Sequence, residues 1–121
     1  MMNPKGDKMK KVALINHYSL NKSGDAREKV RAMMSKGRRH KERDLYDMYY
    51  LIGKDTRFDR ETVLKKMDES RIAFSAEELV GYIKSVQATW KTLQPFIQHT
   101  LEDYEYVSKT VISAMERDKV L

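Results

Sequence analysis

One lysine and two aspartates have the types and spacing to do chemistry together. Lys29 falls between Ala26 and Met33 on an apolar helical face. Asp44 and Asp47 stand three residues apart in the run Arg43-Asp44-Leu45-Tyr46-Asp47-Met48-Tyr49-Tyr50-Leu51. On a helix, i, i+3 spacing lets two carboxylates point at one common site. An ammonium and two carboxylates beside packed surface are costly unless they neutralise one another or meet a ligand. Two uses fit. The lysine can meet nucleotide phosphates while the carboxylates position a substrate hydroxyl or a metal. Alternatively, the three form a partly buried ion pair that fixes the register of a helical hairpin.

Between these residues runs a basic turn of Lys36, Arg38, Arg39, His40 and Lys41, with Arg43 extending it on the side of Arg39. Guanidinium groups suit bidentate contact with phosphate, so Lys36, Arg38, Arg39, Lys41 and Arg43 are candidate phosphate or nucleic-acid contacts. An exposed, solvated turn is the plain alternative. Tyr46, Tyr49, Tyr50 and Trp90 can stack bases, although their helical spacing also suits a core. His40 and Asp44 have i, i+4 spacing, but no third ligand follows at matching spacing, so no metal site is assigned. A Ser-His-Asp set, a Gly-rich phosphate loop and an HExxH motif are absent from the sequence.

The elements that must carry these residues read as helices. In 121 residues there are only two prolines and five glycines, with 35% charged residues, which disfavours a sandwich or barrel. The length suits one domain: a basic leader over 1–11 and a single helical domain over 12–121. Cysteine is absent, which excludes a disulfide scaffold and fits a reducing, cytoplasmic setting. No apolar run is long enough to span a bilayer. The net charge of +6 is uneven: residues 1–45 carry 13 Lys/Arg against 5 Asp/Glu, and residues 46–121 carry 11 against 13. Such asymmetry points to phosphate-bearing partners, with RNA making use of both the turn and the lysine-rich leader.

Residues 12–20 (VALINHYSL) read as one short strand closed by the turn signal NKSG. A lone strand needs a partner for its backbone groups, from another domain or another copy of the chain. Helix is predicted over 25–36 with Asp25 as cap and Gly37 as terminator, and over 41–52 with Gly53 as stop. A third is predicted over 60–69 with Asp59 at its N-cap, carrying Val63, Leu64 and Met67. Ser75-Ala76-Glu77-Glu78 is a capping box that opens a fourth. There, Leu79, Ile83, Val86, Trp90, Leu93 and Ile97 form a lengthwise seam, with Pro95 kinking or ending the helix. A last helix from about residue 100 carries Tyr104, Val107, Val111 and Met115. The expected fold is mainly α, a bundle of four to five helices with one short N-terminal β-strand.

Lys29, the basic stretch and the run Arg43-Asp44-Leu45-Tyr46-Asp47-Met48-Tyr49 closely resemble a segment of the AbiEii/AbiGii-type nucleotidyltransferase toxins. That family's pattern is an "A-x-K-x-x-A" helix followed by "R-D-L-Y-D-L-Y"; the first part reads here Ala26-Arg27-Glu28-Lys29-Val30-Arg31-Ala32. His17-Tyr18-Ser19-Leu20 resembles the strand leading into that helix. Trp90-Lys91-Thr92-Leu93-Gln94-Pro95-Phe96-Ile97 and Asp103-Tyr104-Glu105-Tyr106-Val107 resemble the family's C-terminal helices. The resemblance implies an NTP-dependent nucleotidyltransferase of toxin–antitoxin or abortive-infection (phage-defence) systems, some of whose members modify tRNA. It places Lys29 near the nucleotide phosphates and makes Asp44 a base or orienting group, with Asp47 and Arg43 in neighbouring roles. NTP and Mg²⁺ are implied for the complete enzyme. The family's Gly-Ser turn and D-x-D metal pair are missing from this sequence. The chain therefore resembles the C-terminal helical portion only, expected to be inactive alone. Its expected partners are an N-terminal catalytic half or an antitoxin, with RNA or a second copy joined through the N-terminal strand as further options. The alternative class is a basic helical module that binds RNA or a partner without catalysis.

Overall fold

A computed structural model describes residues 22–37 and 41–121, with backbone alone for 22–25. The expected leader and strand, and also Arg38, Arg39 and His40, lie outside the described residues. Among the described residues there are five α-helices and one 3₁₀ helix, and no strand.

α1 (Lys22–Met34) and α2 (Lys41–Gly53) form the hairpin that holds the candidate chemistry. α1 begins three residues earlier than expected. Asp25 is therefore inside its first turn and not at its cap, because the first turn's N–H groups need no intrahelical acceptor and tolerate Ser23 and Gly24. α1 buries Ala26, Val30 and Met33 as expected, together with Ala32 and Met34. Gly37 beyond it adopts φ 76°, the left-handed conformation that favours glycine.

α2 is the hub. It packs on α1, on α4, on the 3₁₀ helix and on α5. That position explains why its burial exceeds a single stripe: Leu45, Met48 and Leu51 are fully buried, and Glu42, Asp44, Tyr46 and Asp47 are buried as well. Tyr49 and Ile52 are only half-buried against the core.

α3 (Arg60–Glu69) packs on α1 and buries Val63 and Met67. Asp59 holds the N-cap position, but its side chain accepts no capping bond. Its carbonyl accepts the Val63 amide at 2.9 Å and the Thr62 hydroxyl at 3.0 Å instead. α4 (Ala76–Ser85) starts as the capping box predicts, with Ser75 Oγ accepting the Glu78 amide at 3.1 Å.

The expected long fourth helix changes character at Val86, where a 3₁₀ helix (Val86–Phe96) takes over. Pro95 lacks an N–H, and Thr89 and Thr92 turn their hydroxyls onto the carbonyls three residues back, at 3.4 and 2.6 Å. Both effects weaken an α-helical ladder and suit the tighter winding. The apolar seam survives the change, since Leu79, Ile83, Val86, Trp90, Leu93 and Ile97 are all buried.

α5 (Tyr104–Arg117) starts four residues later than expected, with Asp103 Oδ2 accepting the Glu105 amide at 3.2 Å. The preceding link is held open by side chains. Gln94 Oε1 accepts the Leu101 amide, Gln94 Nε2 donates to the His99 carbonyl, and Trp90 Nε1 donates to the Glu102 carbonyl. These bonds satisfy groups that would otherwise favour another helical turn. Tyr104, Val107, Val111 and Met115 are buried as expected.

Candidate functional site: a lysine between two buried aspartates

Antiparallel packing of α1 on α2 brings Lys29 level with the first half of α2. Lys29 Nζ lies 2.8 Å from Asp47 Oδ2 and 3.5 Å from Asp44 Oδ1. The three side chains are 12%, 9% and 1% exposed, for Lys29, Asp47 and Asp44 in turn. Lys29 and Asp47 are thus buried to a similar degree, and Asp44 lies deepest. Asp44 stands in the first turn of α2, where the helix's positive end favours an anion.

Burial pushes the Asp47 carboxyl above its ordinary value. Lys29 opposes that with its charge and its hydrogen bond, Asp44 adds to it, and Arg43 pulls it back. Two cations and two carboxylates therefore share this patch of the hairpin. Arg43 is half-buried, with its guanidinium carbon 5.8 Å from the centre of the Phe96 ring.

The other described cations of the basic turn stand elsewhere. Lys41 Nζ donates to the carbonyls of Met33 at 2.6 Å and Ser35 at 2.7 Å, with Ala32 at 3.4 Å, and rests 4.2 Å from the centre of the Tyr82 ring. It caps the end of α1 from the start of α2. Lys36 is exposed, beside Ser35, Arg71 and Glu78. Arg38 and Arg39 lie outside the described residues.

Two charged groups escaped the sequence reading. Glu42 is buried and its Oε2 accepts the Thr89 hydroxyl at 2.8 Å. No spacing rule marks it, because its partner is 47 residues away. Asp118 ties the end of α5 to the loop between α2 and α3: it accepts from Arg57 Nε at 2.9 Å, from the Phe58 amide at 2.8 Å and from Arg117. Hydrogen bonds from Arg117, then from Arg57 and Phe58, hold its carboxyl well below the usual carboxylate range.

Of the tyrosines considered for stacking, Tyr46 and Trp90 are buried, with ring centres 6.1 Å apart. Tyr49 and Tyr50 are half-exposed, and Tyr106, read only as part of the last helix, is 58% exposed.

Among the described residues no group of three His, Asp or Glu side chains comes together. Asp44 and Asp47 are engaged by an ammonium, so the described residues by themselves do not fit a divalent cation. No helix among them is long and apolar enough to cross a membrane. No protein-family model, curated protein or solved structure matches the chain at a significant level.

Proposed function

We propose that this chain is the helical portion of an AbiEii-like nucleotidyltransferase toxin, supplying the lysine wall of a nucleotidyl-transfer site that is incomplete in this chain alone. The supporting observation is the Lys29 ammonium held over two buried carboxylates, on the residues that carry the sequence resemblance. In this reading Lys29 meets the phosphates of an NTP. Asp44, almost wholly buried, orients the ammonium, and Asp47 holds it by the shorter contact. An ammonium donor held in one orientation acts where negative charge develops on a transferring phosphoryl group. In the reaction an acceptor hydroxyl attacks the α-phosphorus and releases its proton to solvent, the bond to pyrophosphate breaks, and NMP passes to the acceptor oxygen. The carboxylates that hold the metal come from outside these residues, so the chain alone transfers nothing.

The test is an NMR titration of the ¹⁵N-labelled chain with the Mg²⁺ complexes of ATP, GTP, CTP and UTP. At least one nucleotide shifts resonances along the α1–α2 hairpin. The shifts disappear in Lys29→Met and weaken in Lys29→Arg, which keeps a cation in the cluster. Absence of hairpin shifts with all four nucleotides at millimolar concentration, or shifts undiminished in both variants, overturns the reading.

A further inference from the structure

Between α4 and the later part of α5 lies a groove lined by Val80 of α4, Ile112 of α5 and Leu121, all three half-buried. Glu77, Gly81 and Lys84 of α4 stand along it, all exposed. Glu77, Val80, Gly81 and Lys84 fall at i, i+3, i+4 and i+7, so they form one stripe on the helix. Gly81 is the unexpected member. It lies in the interior of a ten-residue helix, where glycine lowers stability relative to alanine. A Cβ at this position meets no atom within 4 Å, so packing inside the chain does not call for glycine. Close approach of a second backbone does. The charges of the stripe are arranged symmetrically about the same point. Glu77 and Lys84 lie three and a half residues to either side of the midpoint between Val80 and Gly81. Among the described residues, neither side chain is tied up in an ion pair or a hydrogen bond.

We propose that this face joins two copies of the chain about a two-fold axis through that midpoint, α4 running antiparallel to α4 of the second copy. In that register Glu77 faces Lys84 of the second copy, Lys84 faces Glu77 of the second copy, and each Val80 enters the space over the other Gly81. A two-fold repeats every contact, so the Glu–Lys match occurs twice. A parallel arrangement sets Glu77 against Glu77 and Lys84 against Lys84, and is disfavoured. An unrelated helix gives no reason for acid and base to be spaced evenly about the glycine; a second copy does. Glu116 on α5 is a further acid beside the groove with no counterpart in this register, so the association is weak enough to follow by dilution. The contact uses neither the Lys29 cluster nor residues 12–20. It is therefore separable from the nucleotide reading and from pairing through an N-terminal strand.

Sedimentation equilibrium of the full chain over about 10 μM to 1 mM is expected to show the mass rising from 14.3 kDa toward twice that value. Glu77→Lys and Lys84→Glu each weaken association by about tenfold or more, since each turns both Glu–Lys matches into like-charge contacts. The double variant Glu77→Lys/Lys84→Glu recovers it, and so does an equimolar mixture of the two single variants. Gly81→Leu abolishes association without lowering the urea midpoint of the dilute chain, because the added side chain starts in open space. That midpoint separates blocked association from misfolding. A mass of 14.3 kDa at every concentration overturns the proposal. So does association at full strength in Gly81→Leu and in both single variants, or a folded double variant that stays monomeric. Concentration-dependent ¹⁵N shifts that avoid α4 place the contact elsewhere and overturn it too. A chain that stays monomeric while an unrelated amphipathic helical peptide shifts α4 resonances gives the groove to a foreign partner, with the same consequence.

Discussion

At the scale of single residues, Lys29 decides whether two buried carboxylates are tolerable. Removing one partner of a buried ion cluster leaves uncompensated charge, which costs on the order of 3 kcal/mol. Lys29→Met is therefore expected to lower the chemical-denaturation stability by about 3 kcal/mol at neutral pH. The deficit depends on pH with a definite sign. Burial already raises the Asp47 carboxyl above its ordinary 3.8. A raised folded pKa contributes stability that is fully present below 3.8 and lost as pH rises through the folded value. Without the ammonium this loss grows, so the variant approaches the parent protein near pH 3.8 and below and falls behind it as pH rises. Denaturation midpoints of the two proteins across pH 3 to 7 check this; a pH-independent gap would show that Lys29 acts through packing of its stem. Asp118 has the opposite sign. Its folded pKa is depressed, so its contribution is present above 3.8 and lost as pH falls below it. Because Arg57 and Arg117 are largely exposed, Asp118→Asn is expected to cost only about 1 kcal/mol at neutral pH, and to flatten the acid limb of the stability profile. A variant with an unchanged acid limb would remove Asp118 from the account.

At the scale of elements, three helices end in the same way. Thr56, Ile72 and Val120 donate their amides to the carbonyls of Leu51, Met67 and Met115, and the residue before each is left-handed. Those residues are Asp55, Arg71 and Lys119, with φ of 67°, 58° and 65°. This is the Schellman arrangement, which favours glycine because a Cβ is strained in that conformation. Arg71→Gly and Lys119→Gly are each expected to raise stability by about 0.5–1 kcal/mol, seen as a higher urea midpoint at constant slope. Asp55→Gly should gain less, since aspartate tolerates the left-handed region better. A lower midpoint for both Arg71→Gly and Lys119→Gly would mean that their side chains do more than suffer strain. The helix stops illustrate what spacing can reveal. Gly37 and the end of α2 at Gly53 were readable, but the left-handed residue after α2 is Asp55, two residues beyond Gly53. Likewise the seam from Leu79 to Ile97 was legible as an apolar pattern, whereas its change from α to 3₁₀ was not. That change depends on where Thr89, Thr92 and Gln94 find acceptors and donors.

At the scale of the whole molecule, every described helix contributes to one core in which Trp90 stands between Tyr46 and Tyr104. Trp90 is the chain's single tryptophan and belongs to the least regular segment. One shared core implies one cooperative transition. Urea unfolding followed by Trp90 fluorescence and by far-ultraviolet circular dichroism is expected to give coincident curves. Fluorescence changing at lower urea than ellipticity would show that the 3₁₀ segment comes away from the bundle first.

The sequence by itself determined the helical class, the starts of α2, α3 and α4, the core seams, and the meeting of Lys29 with Asp44 and Asp47. All of these follow from local periodicity and from a turn too short to let α1 and α2 part. Only the tertiary structure decided that α2 is surrounded, that Lys41 caps α1, that Glu42 and Asp118 find distant partners, and that Tyr106 faces outward. Those outcomes depend on which helices become neighbours across tens of residues, and no spacing rule within a single helix contains that information.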